Sequence, residues 1–235
     1  HRLIRRQRQM CIRDRHRGIE TISYVSRGKM VHRDSLGNEA GISDGEVQWM
    51  NSGSGIMHEE MVPAAERLLG VQLWLNLPAK DKMSKPSYNS IKNEDIKEIE
   101  IEGGKIRLLA GKYGEHEGYK GDYLSMDYYD IHLNADAEVT LTMEEDDSVM
   151  VFTLLGDVYI DGEHIEEKTA VKLTEGDSLT IKNGNEKAQV LYMNSRALNE
   201  PVAWAGPIVM NTQEELQKAF LELRSNTFIK ETAEY

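Results

Sequence analysis

The feature that most restricts how this chain can fold is an internal repeat. "YVSRGKMV" at 24–31 aligns with "FTLLGDVY" at 152–159, and "SDGEVQWM" at 43–50 aligns with "TEGDSLTI" at 174–181, with offsets of 128 and 131. Each copy reads as a strand, a glycine turn, a hairpin and then a Ser/Thr-x-Gly-Asp/Glu turn that leads into another strand. Short alternating runs such as "ETISYV", separated by Gly37-Asn38 and Asp44-Gly45, carry the same β signature. A repeat built from such units predicts an all-β protein of two tandem β-barrels. The boundaries expected are an amino-terminal barrel over 16–104 and a carboxy-terminal barrel over 105–235. Helical signal is confined to the end of the chain. There "NTQEELQKAFLELR" offers Thr212 as cap, Glu215 three residues later and an apolar stripe of Leu216, Phe220 and Leu223 to lay on a sheet.

Composition sets the outer limits. The chain has 235 residues, 40% of them hydrophobic, which is enough for a core without covalent staples. A single cysteine, Cys11, excludes an intramolecular disulfide and suits a reducing compartment. No apolar run approaches a membrane span, and the first residues lack the apolar core of a secretory signal, so the expectation is a cytoplasmic protein with no membrane contact. The net charge of −12 is uneven: residues 1–17 hold seven arginines and one acid, leaving 21 basic against 39 acidic residues elsewhere. So acidic a body repels phosphate backbones and argues against direct nucleic-acid binding. Residues 1–15 have no clear apolar period, and "RQRQMCIRDR" resembles translated adapter sequence; they are expected to form an arm foreign to the fold.

The two copies differ in the chemistry they can carry. In the first, His16 lies upstream of the Gly28 turn, and "GSGIMHEE" places His58 and Glu60 two apart, on one face of a strand. Imidazole and carboxylate together suit a divalent first-row metal such as iron. Transferring the offsets puts Glu144 and Ser148 opposite His16 and Glu20, and Gln189 opposite His58, so the second copy has no histidine where one is needed. His32 reads as a hairpin residue, and His116, His132 and His164 as solvated or hydrogen-bonded. Glu20 reads as supporting or structural, Trp49 and Met50 as core, and "GSGIM" as a tight approach to a barrel strand. "LPAKDKMSKP" reads as an exposed loop near the barrel mouth.

"HRGIETISYV", "HRDSLGN", "DGEVQWMNSGSGIMHEEM", "GVQLWLNLPAKDKM" and "GPIVMNTQEEL" resemble the pirin family, bicupins of the cupin superfamily, from His16 to about Phe228. The resemblance implies two cupin barrels with one iron in the first, held by a His-x-His pair and a later His-x-Glu pair. His16 matches the second histidine of the first pair, and His58 and Glu60 match the later pair; Asp14 stands where the family has its first histidine. Nickel, manganese, copper, cobalt or zinc are further metals such a site takes. Several pirins are flavonol (quercetin) 2,3-dioxygenases, which implies a small aromatic substrate and O2, ring opening with loss of carbon monoxide, and Glu60 as the catalytic proton acceptor. Other members are described as transcriptional co-regulators, so the alternative expectation is an iron-binding redox sensor that acts through a protein partner without turnover. A monomer is expected.

Overall fold

A computed structural model describes residues 10–63, 66–174 and 176–231. The chain divides into two compact units, one formed by residues 1–93 and 199–235, the other by 94–198. The first carries β1 (Met10–His16), β2 (Ile19–Arg27), β3 (Lys29–Asp34), β4 (Glu39–Ser43), β5 (Glu46–Asn51), β6 (Ile56–Val62), β7 (Leu69–Asn76) and β8 (Ser87–Ile91). The second begins with β9 (Lys97–Ile101), β10 (Gly104–Ala110), β11 (Lys112–Tyr113), β12 (His116–Glu117), β13 (Met126–Leu133) and β14 (Glu138–Thr142). It continues with β15 (Asp147–Leu155), β16 (Val158–Ile160), β17 (Glu163–Ile165), β18 (Ala170–Lys172), β19 (Ser178–Asn183) and β20 (Ala188–Arg196). The closing segment, β21 (Ala203–Ala205), β22 (Ile208–Met210) and helix α1 (Gln213–Arg224), belongs to the first unit.

The repeat is visible in the strand pairing. One sheet of the first unit runs β1-β6-β3-β4, and one of the second runs β14-β19-β16-β17. The partner sheets contain β7-β2-β5 and β20-β15-β18 in matching order, so β14 to β20 repeat the connectivity of β1 to β7. The alignment of 24–31 with 152–159 is therefore correct: each pairs the end of β2 or β15 with a glycine of positive φ, Gly28 or Gly156. The second alignment slips by one strand. Residues 43–50 run into β5, whereas 174–181 run into β19, the counterpart of β6. A Ser/Thr-x-Gly-Asp/Glu turn says that a strand follows, not which one. The counterpart of His58 thus lies on β19, and Gln189 lies on β20.

Three further expectations are corrected. Residues 10–15 are not an arm outside the fold: with His16 they form β1, which pairs antiparallel with β6 from Met10↔Val62 to His16↔Ile56. Residues 1–9 lie outside the described residues. The boundary expected at 104 cuts a hairpin, because β9 pairs with β10 across Glu100↔Lys105. The closing helix, assigned by sequence to the second barrel, joins the first unit, and Arg17 explains why. Its backbone N–H bonds to the Pro207 carbonyl and its carbonyl accepts from Val209. Its buried guanidinium donates to the Ser54 carbonyl at 2.7 Å, the Phe228 carbonyl at 2.8 Å and Glu222 at 2.7 Å, and lies over the Phe228 ring. Phe228 in turn belongs to an apolar cluster with Ala203, Ile208, Met210, Leu216 and Ala219. The capping box is as predicted, with Thr212 accepting from the Glu215 N–H and Glu215 accepting from that of Thr212.

Two glycines allow close chain approaches near β1 and β6. A side chain on Gly18, at φ +76°, would begin 2.0 Å from the Val209 carbonyl, and one on Gly55, at φ +136°, 2.8 Å from that of Phe228. "GSGIM" is thus a tight approach. "LPAKDKMSKP" is not simply an exposed loop: Lys82 is buried after a short 3₁₀ turn at Ala79–Asp81, and donates to Gly18 O, Val209 O and Asn76 Oδ1. Burial lowers its pKa to about 8. Among the described residues no helix is long and apolar enough to cross a membrane.

Candidate metal centre

Antiparallel register builds the site. On β6, His58 lies across from Asp14 of β1 and from Asp34 of β3, and Glu60 lies across from His32. Side chains two apart on a strand share a face, so Asp14 and His16, His58 and Glu60, and His32 and Asp34 form three adjacent pairs. His16, His32, His58 and Glu60 are all buried. Two sets of three donors result, with ligand atoms in each within 4.8 Å of one another: Asp14, His16 and His58, and His32, His58 and Glu60. His58 belongs to both, whereas His16 and Glu60 share neither. The three residues singled out in the sequence therefore converge through His58, whose ring centroid is 4.9 Å from that of His16 and whose Nδ1 is 3.9 Å from Glu60 Oε1.

Burial sets the electrostatics. It holds the His16 imidazole below its usual basicity, against the opposing pull of Asp14 and of the Pro207 carbonyl nearby. His58 is lowered to about 3 by burial and by its neighbours His16 and His32. Both rings are thus neutral at neutral pH, the form that ligates metal. Among the described residues, neither ring nitrogen of His16 or of His58 has a partner at hydrogen-bond geometry. Buried polar atoms left without partners are costly and rare. Two neutral imidazoles beside carboxylates fit a divalent first-row cation, which would take the lone pair of one nitrogen from each ring.

Supporting contacts hold the carboxylates. Glu60 accepts from Gln48 Nε2 at 3.0 Å and from Gln72 Nε2 at 3.1 and 3.2 Å. Burial pushes its carboxyl above the ordinary range, and these bonds only partly offset that. Gln72 is held in turn by Trp74, whose Nε1 donates to Gln72 Oε1 at 3.0 Å. Trp74 is 41% exposed, and its ring meets that of His16 edge-on at 5.4 Å. Asp34 is a carboxylate saturated with donors: Leu36 N, Asn38 N and Asn38 Nδ2 at 2.8–3.1 Å, and His32 Nε2 at 3.0 Å. Burial opposes its ionisation, yet the bonds from His32 and Asn38 keep its carboxyl below the usual range.

Other sequence candidates fall where expected. Glu20 accepts from Trp49 Nε1 at 2.9 Å and belongs to neither donor set, and Trp49 and Met50 are core. His132 and His164 bond to Asp130 and Asp157, and His116 is exposed; among the described residues none joins a donor set. His32 departs from expectation. It lies in the β3–β4 hairpin, but it is buried and faces His58, with ring centroids 5.4 Å apart. Sequence reading also missed Asp34, Gln48, Gln72 and Trp74. The signal was there in weak form, as polar residues alternating through "HRD" and "GVQLWLN" where a barrel interior would ordinarily be apolar.

Comparison with known proteins gives a consistent result. The family model described as Pirin matches residues 7–75, and that of the Pirin C-terminal cupin domain matches residues 128–229. A Thermoplasma acidophilum protein provisionally named a quercetin 2,3-dioxygenase is 34% identical, over 92% of this chain and 90% of its own. Human pirin is 35% identical over 89% of this chain and 74% of its own. The crystal structure of a quercetin 2,3-dioxygenase from Acinetobacter baumannii superimposes with a TM-score of 0.86 at 32% identity, covering 94% of this chain and 80% of that one. Escherichia coli YhhW, solved with nickel(II), shares the fold at a TM-score of 0.65 and 21% identity, over 80% of this chain and 81% of that one.

Proposed function

The chain belongs to the pirin family, and on that premise we propose that its first barrel is the metal centre of a dioxygenase that opens a flavonol such as quercetin with O2. The observation that carries this reading is the set of buried imidazole nitrogens of His16 and His58, without hydrogen-bond partners among the described residues, beside Glu60. His16, His58 and Glu60 would hold the ion, with His58 common to both donor sets, and Asp14 would add an oxygen where the family has a nitrogen. Iron is the ion proposed; the donor set also accommodates nickel, the metal in the Escherichia coli structure, and other first-row divalent ions.

When bound, the ion would supply Lewis acidity toward a flavonol hydroxyl and redox chemistry toward oxygen. Glu60 would be the carboxylate that takes the hydroxyl proton. Gln48 and Gln72 fix the Glu60 carboxylate in place, and Trp74 gives a planar ring an aromatic wall beside His16. The test is to load the chain with iron(II) and quercetin without oxygen and then admit O2. Carbon monoxide release with loss of the flavonol absorbance is expected, and Glu60→Gln should bind metal more weakly and lose turnover. Flavonol binding without ring opening would instead support a ligand-sensing protein.

A further inference from the structure

His32 is buried, lies across β3 and β6 from Glu60, and has no role in the ligand set that the family pattern suggests. Its Nε2 is 3.0 Å from Asp34 Oδ2, while Nδ1 is buried with no hydrogen-bond partner among the described residues. An ionised carboxylate can only accept, so the nitrogen facing Asp34 carries a proton, and in the neutral tautomer the lone pair is on the other. A carboxylate behind a histidine is the usual way in which a metal-ligating imidazole has its tautomer and orientation fixed. The ring is held further by Tyr88, stacked on it at 4.4 Å with planes 20° apart. His58 and Glu60 lie beside it, with one ligand atom from each of the three within 4.8 Å of the others.

We propose that His32 is a metal ligand of the first barrel, oriented by Asp34, so that the centre holds three imidazoles. This rests on the metal-centre reading above and extends it to a residue outside the His-x-His and His-x-Glu pairs. His32, His58 and Glu60 bring two imidazoles and a carboxylate together, a donor chemistry that suits iron(II). In a chain with Asp14 in place of a histidine, His32 returns the nitrogen count to three. A purely structural His32, serving only to hold Tyr88 and the β3–β4 turn, would leave the buried lone pair unsatisfied.

The test counts nitrogens and needs no turnover. Pulsed EPR of the full chain loaded with copper(II) should count three coordinated imidazoles, and two in His32→Phe, which keeps a ring against Tyr88 but removes the donor. Cobalt(II) titration of the same variant should show about tenfold or greater loss of affinity and an altered visible spectrum, with circular dichroism confirming its fold. Asp34→Asn should give a smaller loss of affinity with His32 still present. Two imidazoles in the unaltered chain, a count needing no variant, would overturn the proposal, as would unchanged cobalt affinity and spectrum in His32→Phe. Both leave the metal centre itself standing. A wild-type chain that takes up neither metal would overturn the metal-centre reading and this inference with it.

Discussion

The two barrels share one connectivity and fill it with opposite chemistry. In the second, β14, β16 and β19 contribute Val139, Leu141, Val158, Ile160, Leu179 and Ile181 to one apolar cluster. In the first, the equivalent strands β1, β3 and β6 contribute Asp14 and His16, His32 and Asp34, and His58 and Glu60. Burying each aliphatic side chain is worth roughly 1.5–3 kcal/mol, so the second barrel stabilises itself from its own interior. The first gives up that contribution along these strands and is braced elsewhere, by the Arg17 cluster under the closing helix and by the buried Lys82. A repeated fold can thus keep one copy for packing and release the other for chemistry.

The largest expected effect breaks that contrast at its centre. His58 belongs to both donor sets, so His58→Ala should lower divalent-metal affinity by about a hundredfold or more, while Ile181→Ala at the equivalent strand leaves it unchanged; titration calorimetry reads both. The converse holds for stability. Ile181 is fully buried, and Ile181→Ala should destabilise the second barrel by about 2–5 kcal/mol in denaturant unfolding. A smaller effect is expected at the first-histidine position. Asp14→His, replacing oxygen by nitrogen across from His58, should raise iron affinity by roughly tenfold, and no change would mean the position is dispensable.

The pH dependence of the metal-free chain sharpens the same comparison. His58 is lowered from 6.5 to about 3 on folding, so the unfolded chain takes the proton first. Stability is fully present above pH 6.5 and is lost as pH falls through that window toward 3. Glu60, raised above 4.5, works in the opposite sense: its contribution is present below 4.5 and is lost as pH rises through its folded value. Unfolding of the metal-free chain should therefore become easier as pH falls from 6.5 toward 3, with Glu60 offsetting part of the change above 4.5, and His58→Ala should flatten the dependence. A stability independent of pH between 6.5 and 5 would contradict this. The smallest effect is a null one: His132→Ala or His164→Ala, whose rings bond to Asp130 and Asp157 of the second barrel and join no donor set among the described residues, should leave metal content unchanged.

The architecture was legible where local signals set it. Glycine turns at Gly28 and Gly156 disclosed the repeat, Thr212 and Glu215 the helix start, and the two-residue spacing of His58 and Glu60 their common face. What escaped depends on pairing between distant strands. That His32 faces Glu60, that Gln72 reaches Glu60 from β7, and that 174–181 leads into β19 rather than a β5 counterpart all follow from register, which no short stretch encodes. The place of the closing helix depends likewise on Arg17, two hundred residues away in sequence, whose buried charge looks locally like one more arginine in a basic run.

The most direct measurement is the metal content of the chain after anaerobic loading with iron(II) and removal of excess, read by elemental mass spectrometry alongside His58→Ala and Ile181→Ala. One ion per chain in the unaltered protein and in Ile181→Ala, and none in His58→Ala, is the result expected if the first barrel alone holds the metal. Stoichiometric iron retained by His58→Ala, or none taken up by the unaltered chain, would contradict it.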